Sequence, residues 1–131
     1  MSNTKTIKPT ESELEILQTL WTRGLATVRE VHEDLARTKD VGYTTTLKLM
    51  QIMHEKGLVK RDEKEKAHIY RPAQTQRQTQ KSLVGDLLDK AFSGSALKLV
   101  QHVLETTPSS AEELAQIRKL ITEAEARGGK Q

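Results

Sequence analysis

The stretch Tyr43-Thr44-Thr45-Thr46-Leu47-Lys48-Leu49-Met50-Gln51-Ile52-Met53-His54-Glu55-Lys56-Gly57-Leu58-Val59-Lys60-Arg61, continued by Asp62-Glu63-Lys64-Glu65-Lys66-Ala67-His68-Ile69-Tyr70-Arg71-Pro72, decides how this chain folds. Its first half repeats apolar residues at helical intervals. Leu47, Met50 and Met53 form one stripe, widened by Leu49 and Ile52, and Thr44, Thr45, Lys48, Gln51 and Glu55 take the other side. The spacing predicts a helix that opens at Thr44, runs to about Lys56 and ends at Gly57. A strand then starts over 57–61, the polar run 62–66 is a hairpin tip, and Ala67 to Arg71 returns, closed by Pro72. On the returning strand His68 and Tyr70 share a face, so His68 is expected to pack on Tyr70.

Upstream, Thr10-x-x-Glu13 and Thr27-x-x-Glu30 have the form of capping boxes. They predict helices over about 11–23, with Leu14, Leu17 and Trp21 on one side, and about 28–38, with Val28, Val31 and Leu35. Thr38 to Gly42 is a polar turn. Trp21, Leu17, Leu20, Val31, Leu35, Leu47, Met50 and Met53 are the candidate core. Downstream, Gln74 to Gln80 is strongly polar. Three more helical patterns follow, broken at Ser93-Gly94-Ser95 and Thr106-Thr107-Pro108, and Ser109 and Ser110 with Glu112 and Glu113 offer overlapping caps for the last one. Gly128 to Gln131 reads as a frayed tail. Three helices closed by a hairpin are the layout of a winged helix-turn-helix. The expected class is therefore mainly α with a small β-hairpin, a winged helix over 1–73 followed by a helical dimerisation region over 74–131.

Composition agrees. The chain has 131 residues, 35% hydrophobic, 30% charged and only 3% aromatic, which suits a compact domain plus a helical part that completes its core in an oligomer. No apolar run approaches the length of a membrane span, so no membrane insertion is expected, and Met1 to Pro9 lacks the apolar core of a secretory signal. Cysteine is absent, which excludes disulfides, thiol catalysis and thiolate metal sites, and fits a cytoplasmic chain. The net charge is only +3, but Lys60, Arg61, Lys64, Lys66, His68 and Arg71 cluster, interleaved with Asp62, Glu63 and Glu65.

These residues resemble the penicillinase-repressor family, the BlaI/MecI/CopY-type winged-helix regulators. The resemblance runs through Thr10-x-x-Glu13, Leu20-Trp21, Glu30-Val31, Tyr43-Thr44-Thr45, Lys56-Gly57-Leu58-Val59 and Tyr70-Arg71-Pro72, and covers roughly 10–125. It implies a dimeric transcriptional repressor whose winged helix binds an operator half-site. It also implies, for some members, a membrane sensor-protease system that leads to cleavage at an Asn-Phe bond. The matching stretch here, Leu99-Val100-Gln101-His102-Val103, holds no such pair, and the copper branch's Cys-x-Cys has no counterpart. The family's common Trp ahead of the third helix is replaced by Val41-Gly42-Tyr43.

The chemistry of the third helix suits double-stranded DNA. Thr44 and Thr45 at its start can hold a phosphate with hydroxyls and backbone N–H groups, or merely cap the helix. Lys48 and Gln51 share a face; Lys can donate to guanine and Gln can pair both ways with adenine, or the two are a solvated face. Lys64, Lys66 and Arg71 on the hairpin and Arg29 at the start of the second helix are the candidate phosphate contacts.

Leu83, Leu87, Leu88, Phe92, Val100, Val103, Leu104, Leu114, Ile117, Leu120 and Ile121 are too many for three short helices to hide. A twofold dimer would bury them and set two recognition helices on a pseudo-palindromic operator. The competing reading is a winged-helix protein-interaction module without DNA binding. His32-Glu33 and His54-Glu55 lack the second His of a zinc-protease pattern, and neither a Gly-rich phosphate loop nor a nucleophilic set is visible. The expectation is thus no enzyme, no metal and no cofactor.

Overall fold

The computed structural model describes residues 8–64 and 66–128. Helix α1 (Glu11–Arg23) begins with the expected capping box: the Thr10 hydroxyl accepts from the Glu13 N–H at 3.2 Å, and the Glu13 carboxylate accepts from the Thr10 N–H at 2.9 Å. It ends at Gly24, whose φ of 90° favours a residue without Cβ. Helix α2 (Val28–Ala36) repeats the device with Thr27 and Glu30, and stops two residues short of the boundary expected from sequence. Helix α3 (Tyr43–Lys56) ends in the left-handed Gly57. The hairpin follows as β2 (Val59–Asp62) and β3 (Ile69–Pro72).

A further strand of two residues is one that the sequence pattern does not announce. Ala26–Thr27 form β1, which pairs antiparallel with β3, so the sheet has three strands in the order β1-β3-β2. A two-residue strand has no alternation to read; only its partner across the chain defines it. The order α1-β1-α2-α3-β2-β3 is that of a winged helix. Its core is Ile16, Leu17, Leu20, Ala26, Val28, Val31, Met50, Met53, Val59 and Tyr70, all buried. Trp21, Leu35 and Leu47 pack against this core half-buried rather than inside it.

One side chain of the hairpin differs from expectation. His68 is exposed and precedes β3, whereas Tyr70 is buried, so the two do not form a packed pair on one strand face. Arg61 is half-buried and bonded to Glu63.

Helix α4 (Gln76–Ala91) starts earlier than the apolar pattern suggests, inside the polar run. A further capping box explains this: the Thr75 hydroxyl accepts from the Gln78 N–H at 3.0 Å and the Gln78 amide oxygen accepts from the Thr75 N–H at 2.9 Å. The entry to α4 is tied to α1: the Trp21 indole N–H donates to the Gln74 carbonyl at 3.0 Å and the Gln76 amide donates to the Gln18 amide oxygen at 3.4 Å, while Thr79 in the first turns is buried. The chain forms two compact units, one ending at Gly85 and the other beginning at Asp86. The second unit carries the end of α4, helix α5 (Ala96–Thr106) and helix α6 (Ala111–Gly128). Ser110 caps α6 by accepting from the Glu113 N–H at 3.0 Å. Neither α5 nor α6 has a buried residue. Of the expected tail, Gly128 belongs to α6 and residues 129–131 lie outside the described residues, as do residues 1–7 and Glu65.

Candidate nucleic-acid interface

Helix α3 has two sides because of where its residues fall around a 3.6-residue turn. Thr46, Met50 and Met53 face the core. Thr44, Lys48, Gln51 and Glu55 recur at intervals of four, three and four residues and are exposed, with Thr45 beside them. Among the described residues, none of Thr44, Thr45, Lys48 and Gln51 has a side-chain hydrogen bond or ion pair within the protein. Their donors and acceptors are therefore available to a ligand.

Neither Thr44 nor Thr45 caps the helix. Gly42 is the N-cap and supplies no side-chain acceptor, so the first-turn N–H groups lack a cap. The threonine that bonds locally is Thr46, fully buried, whose hydroxyl donates to the Gly42 carbonyl at 3.1 Å. Uncapped N–H groups beside two free hydroxyls are donors of the kind that can take an anion at a helix start. The turn before it is braced where the family's Trp is missing. The His32 ring N–H donates to the Val41 carbonyl at 3.0 Å, and the Tyr43 ring meets His32 edge-on at 5.9 Å. The helix's far end is fixed by Lys56, whose ammonium donates to both oxygens of buried Glu13 at 2.8 and 2.9 Å. Burial alone would raise the Glu13 carboxyl. The bonds from Lys56 and the Thr10 N–H, with the Lys56 charge, outweigh it and hold the group below its ordinary value.

The hairpin presents Lys64 and Lys66 exposed at its tip. Asp62 shapes that tip by accepting from the Lys64 N–H at 3.0 Å. Glu63 is engaged by Arg61, whose Nε donates at 2.7 Å, and that bond lowers the Glu63 carboxyl. One interleaved acid is thus occupied within the hairpin rather than by the tip lysines. Arg71 is exposed, and the strand register sets Lys60 directly opposite it. Two cations facing each other across a ladder repel. Lys60 is therefore an additional candidate for an anion contact, and hairpin register is the signal that brings it to Arg71. Arg29 is exposed in the first turn of α2. Ile52 is the reverse case: it does not join the buried stripe but lies 37% exposed on the outer side of α3.

The expected dimerisation residues divide in two. Leu83, Leu88, Phe92, Leu114 and Ile117 are half-buried, and Leu87, Val100, Val103, Leu104, Leu120 and Ile121 are exposed. Among the described residues no group of three His, Asp or Glu side chains is placed to hold a metal ion, and no helix is long and apolar enough to cross a membrane.

A three-helix core, a three-stranded sheet and a polar outward face on α3 define a winged-helix protein. The penicillinase repressor family model matches residues 9–123. The chain is 33% identical over 119 residues to the transcriptional regulator BlaI of Mycobacterium tuberculosis, covering 89% of this chain and 85% of that one. It is 20% identical over 117 residues to the methicillin resistance regulatory protein MecI of Staphylococcus aureus, covering 89% and 95%. A crystal structure of a mutant MarR from E. coli complexed with operator DNA superposes with a TM-score of 0.48 at 16% identity, covering 88% of this chain and 75% of that one. The chain belongs to the penicillinase repressor family, as the resemblance in its sequence implies.

Proposed function

We propose that this chain is a sequence-specific DNA-binding transcriptional repressor that acts as a homodimer on a pseudo-palindromic operator in the cytoplasm. The observation that carries the reading is the open face of α3, where Thr44, Lys48 and Gln51 line up exposed and without partners among the described residues. Such a face fits the major groove, where Lys48 can donate to guanine O6 and N7 and Gln51 can pair with adenine N6 and N7. The first turn of α3, with Thr44 and Thr45, takes a phosphate. Lys64, Lys66, Arg71 and Arg29 neutralise further phosphates and set the register. One relative named as a transcriptional regulator and another named as a regulatory protein support this role over an enzymatic one.

The dimer is supported by the apolar faces of α4, α5 and α6. Val100, Val103, Leu104, Leu120 and Ile121 are exposed in one protomer, and a second copy would cover them symmetrically. Two recognition helices would then meet half-sites one helical turn, or a small multiple, apart. Repression follows by occupancy of the promoter. Family membership also suggests a membrane sensor-protease system upstream, although the stretch 99–103 lies inside α5 and carries no Asn-Phe bond.

Selection of duplexes from a random pool, followed by gel-shift titration, tests the reading. Enrichment of an inverted repeat is expected. Lys48→Ala should weaken binding to it by about 1–3 kcal/mol per half-site and relax one position. A protein that enriches no sequence and shifts no duplex would instead be an interaction module.

A further inference from the structure

We propose that Ile52 reads a thymine methyl group in the operator and so sets specificity at one position of each half-site. The inference rests on the DNA-binding reading above and adds a base identity to it. Upstream of α4, and among the described residues, only three large apolar side chains are exposed: Leu25, Tyr43 and Ile52. Two of them lie on α3, and Tyr43 already has the His32 ring against its edge. Ile52 stands one turn beyond Lys48 and two turns beyond Thr45, beside the polar line of the helix.

The same helix buries Thr46 completely, with its hydroxyl bonded back to Gly42, while it leaves an isoleucine at 37% exposure. Helix α3 therefore puts a hydroxyl in the core and a branched hydrocarbon outside. Such departures from local pattern gather at functional sites. Only one group on a base-pair edge in the major groove is a hydrocarbon, the C5-methyl of thymine. An apolar side chain on a groove-facing helix thus has one kind of base partner. Isoleucine also suits the task mechanically. Its branched Cβ holds χ1 near a single value in a helix, so it loses less freedom on contact than Lys48 or Gln51 does. Four residues of helix advance about 6 Å, so the thymine should lie within about two base pairs of the base that Lys48 contacts.

The test uses the full-length protein and the inverted repeat it selects from a random pool. Each thymine is replaced symmetrically in both half-sites by deoxyuridine, which lacks only the C5-methyl. One replacement should weaken binding by about fourfold per half-site. It should have no effect on Ile52→Ala, and Ile52→Val should retain part of it. The position should fall within about two base pairs of the one relaxed by Lys48→Ala. Circular dichroism melts of both Ile52 variants verify that the fold is intact. If a repeat is selected but no deoxyuridine replacement matters, or if Ile52→Ala and Ile52→Val both feel it as the parent does, the assignment of Ile52 is overturned while DNA binding stands. If no sequence is selected, the DNA-binding reading falls, and this inference with it.

Discussion

The winged-helix region and the helices after it use apolar residues in opposite ways. Between α1 and β3, ten apolar residues are buried, and the polar atoms around them are bonded inside the chain. In α5 and α6 no residue is fully buried: Leu99, Leu114 and Ile117 are half-buried, and Leu97, Val100, Val103, Leu104, Leu120 and Ile121 are exposed. The first region brings enough distant segments together to hold its own core. The second has helices with caps and stripes that cover one another only in part. A sequence can thus specify a helix locally while leaving its packing to another surface, and here a second copy of the chain is the proposed wall.

The strongest way to break that contrast is to empty the first core. Met50→Ala removes a fully buried side chain from α3 and should cost about 2–5 kcal/mol of stability in a denaturant titration. A loss under about 0.5 kcal/mol, typical of an exposed site, would mean this core is not what supports the domain. Placing charge on the open stripes, with Val103→Lys and Ile121→Lys together, should leave that core intact. Analytical ultracentrifugation should then find monomers, and operator affinity should fall by about 100-fold or more, because the two half-sites are no longer linked. A dimer that survives both lysines contradicts the proposed wall.

A finer probe is the bond that ties α1 to α3. Glu13→Gln removes the carboxylate from Lys56 and should destabilise the fold by about 1–2 kcal/mol, because Lys56 keeps partial access to water. The Glu13 carboxyl is held below its ordinary value, so its contribution is complete above the unfolded-chain value and disappears as pH falls through the folded one. Stability measured from about pH 6 down to about pH 3 should converge for parent and variant. Parallel pH curves would remove Glu13 from the account. The smallest expected effect concerns the wing. Lys64→Ala with Lys66→Ala should weaken binding to all duplexes alike and reduce the slope of log affinity against log salt by about 0.9 for each phosphate that is no longer neutralised. An unchanged slope assigns those lysines to solvent.

Much of this fold is legible in the residues. Thr10-x-x-Glu13 and Thr27-x-x-Glu30 mark two helix starts by chemistry that acts within three residues, and Gly57 marks a stop by backbone freedom. Thr75-x-x-Gln78 carries the same signal for α4, in its glutamine form, inside a run whose polarity otherwise suggests a connector. Other features depend on partners distant in the chain. β1 exists because Ala26 meets Tyr70, and Lys60 gains significance because the register sets it against Arg71. Ile52 has helical spacing that admits it to the apolar stripe, yet the core closes over Met50 and Met53 and leaves it outside.

Family, helix order and the polar side of α3 follow from the sequence alone, because periodicity, capping and motif register are properties of near neighbours along the chain. Only the tertiary structure decides which threonine is buried, how Lys56 reaches Glu13 and which apolar residues remain uncovered. Those outcomes depend on what other elements bring to the same place, and a local pattern has no access to that.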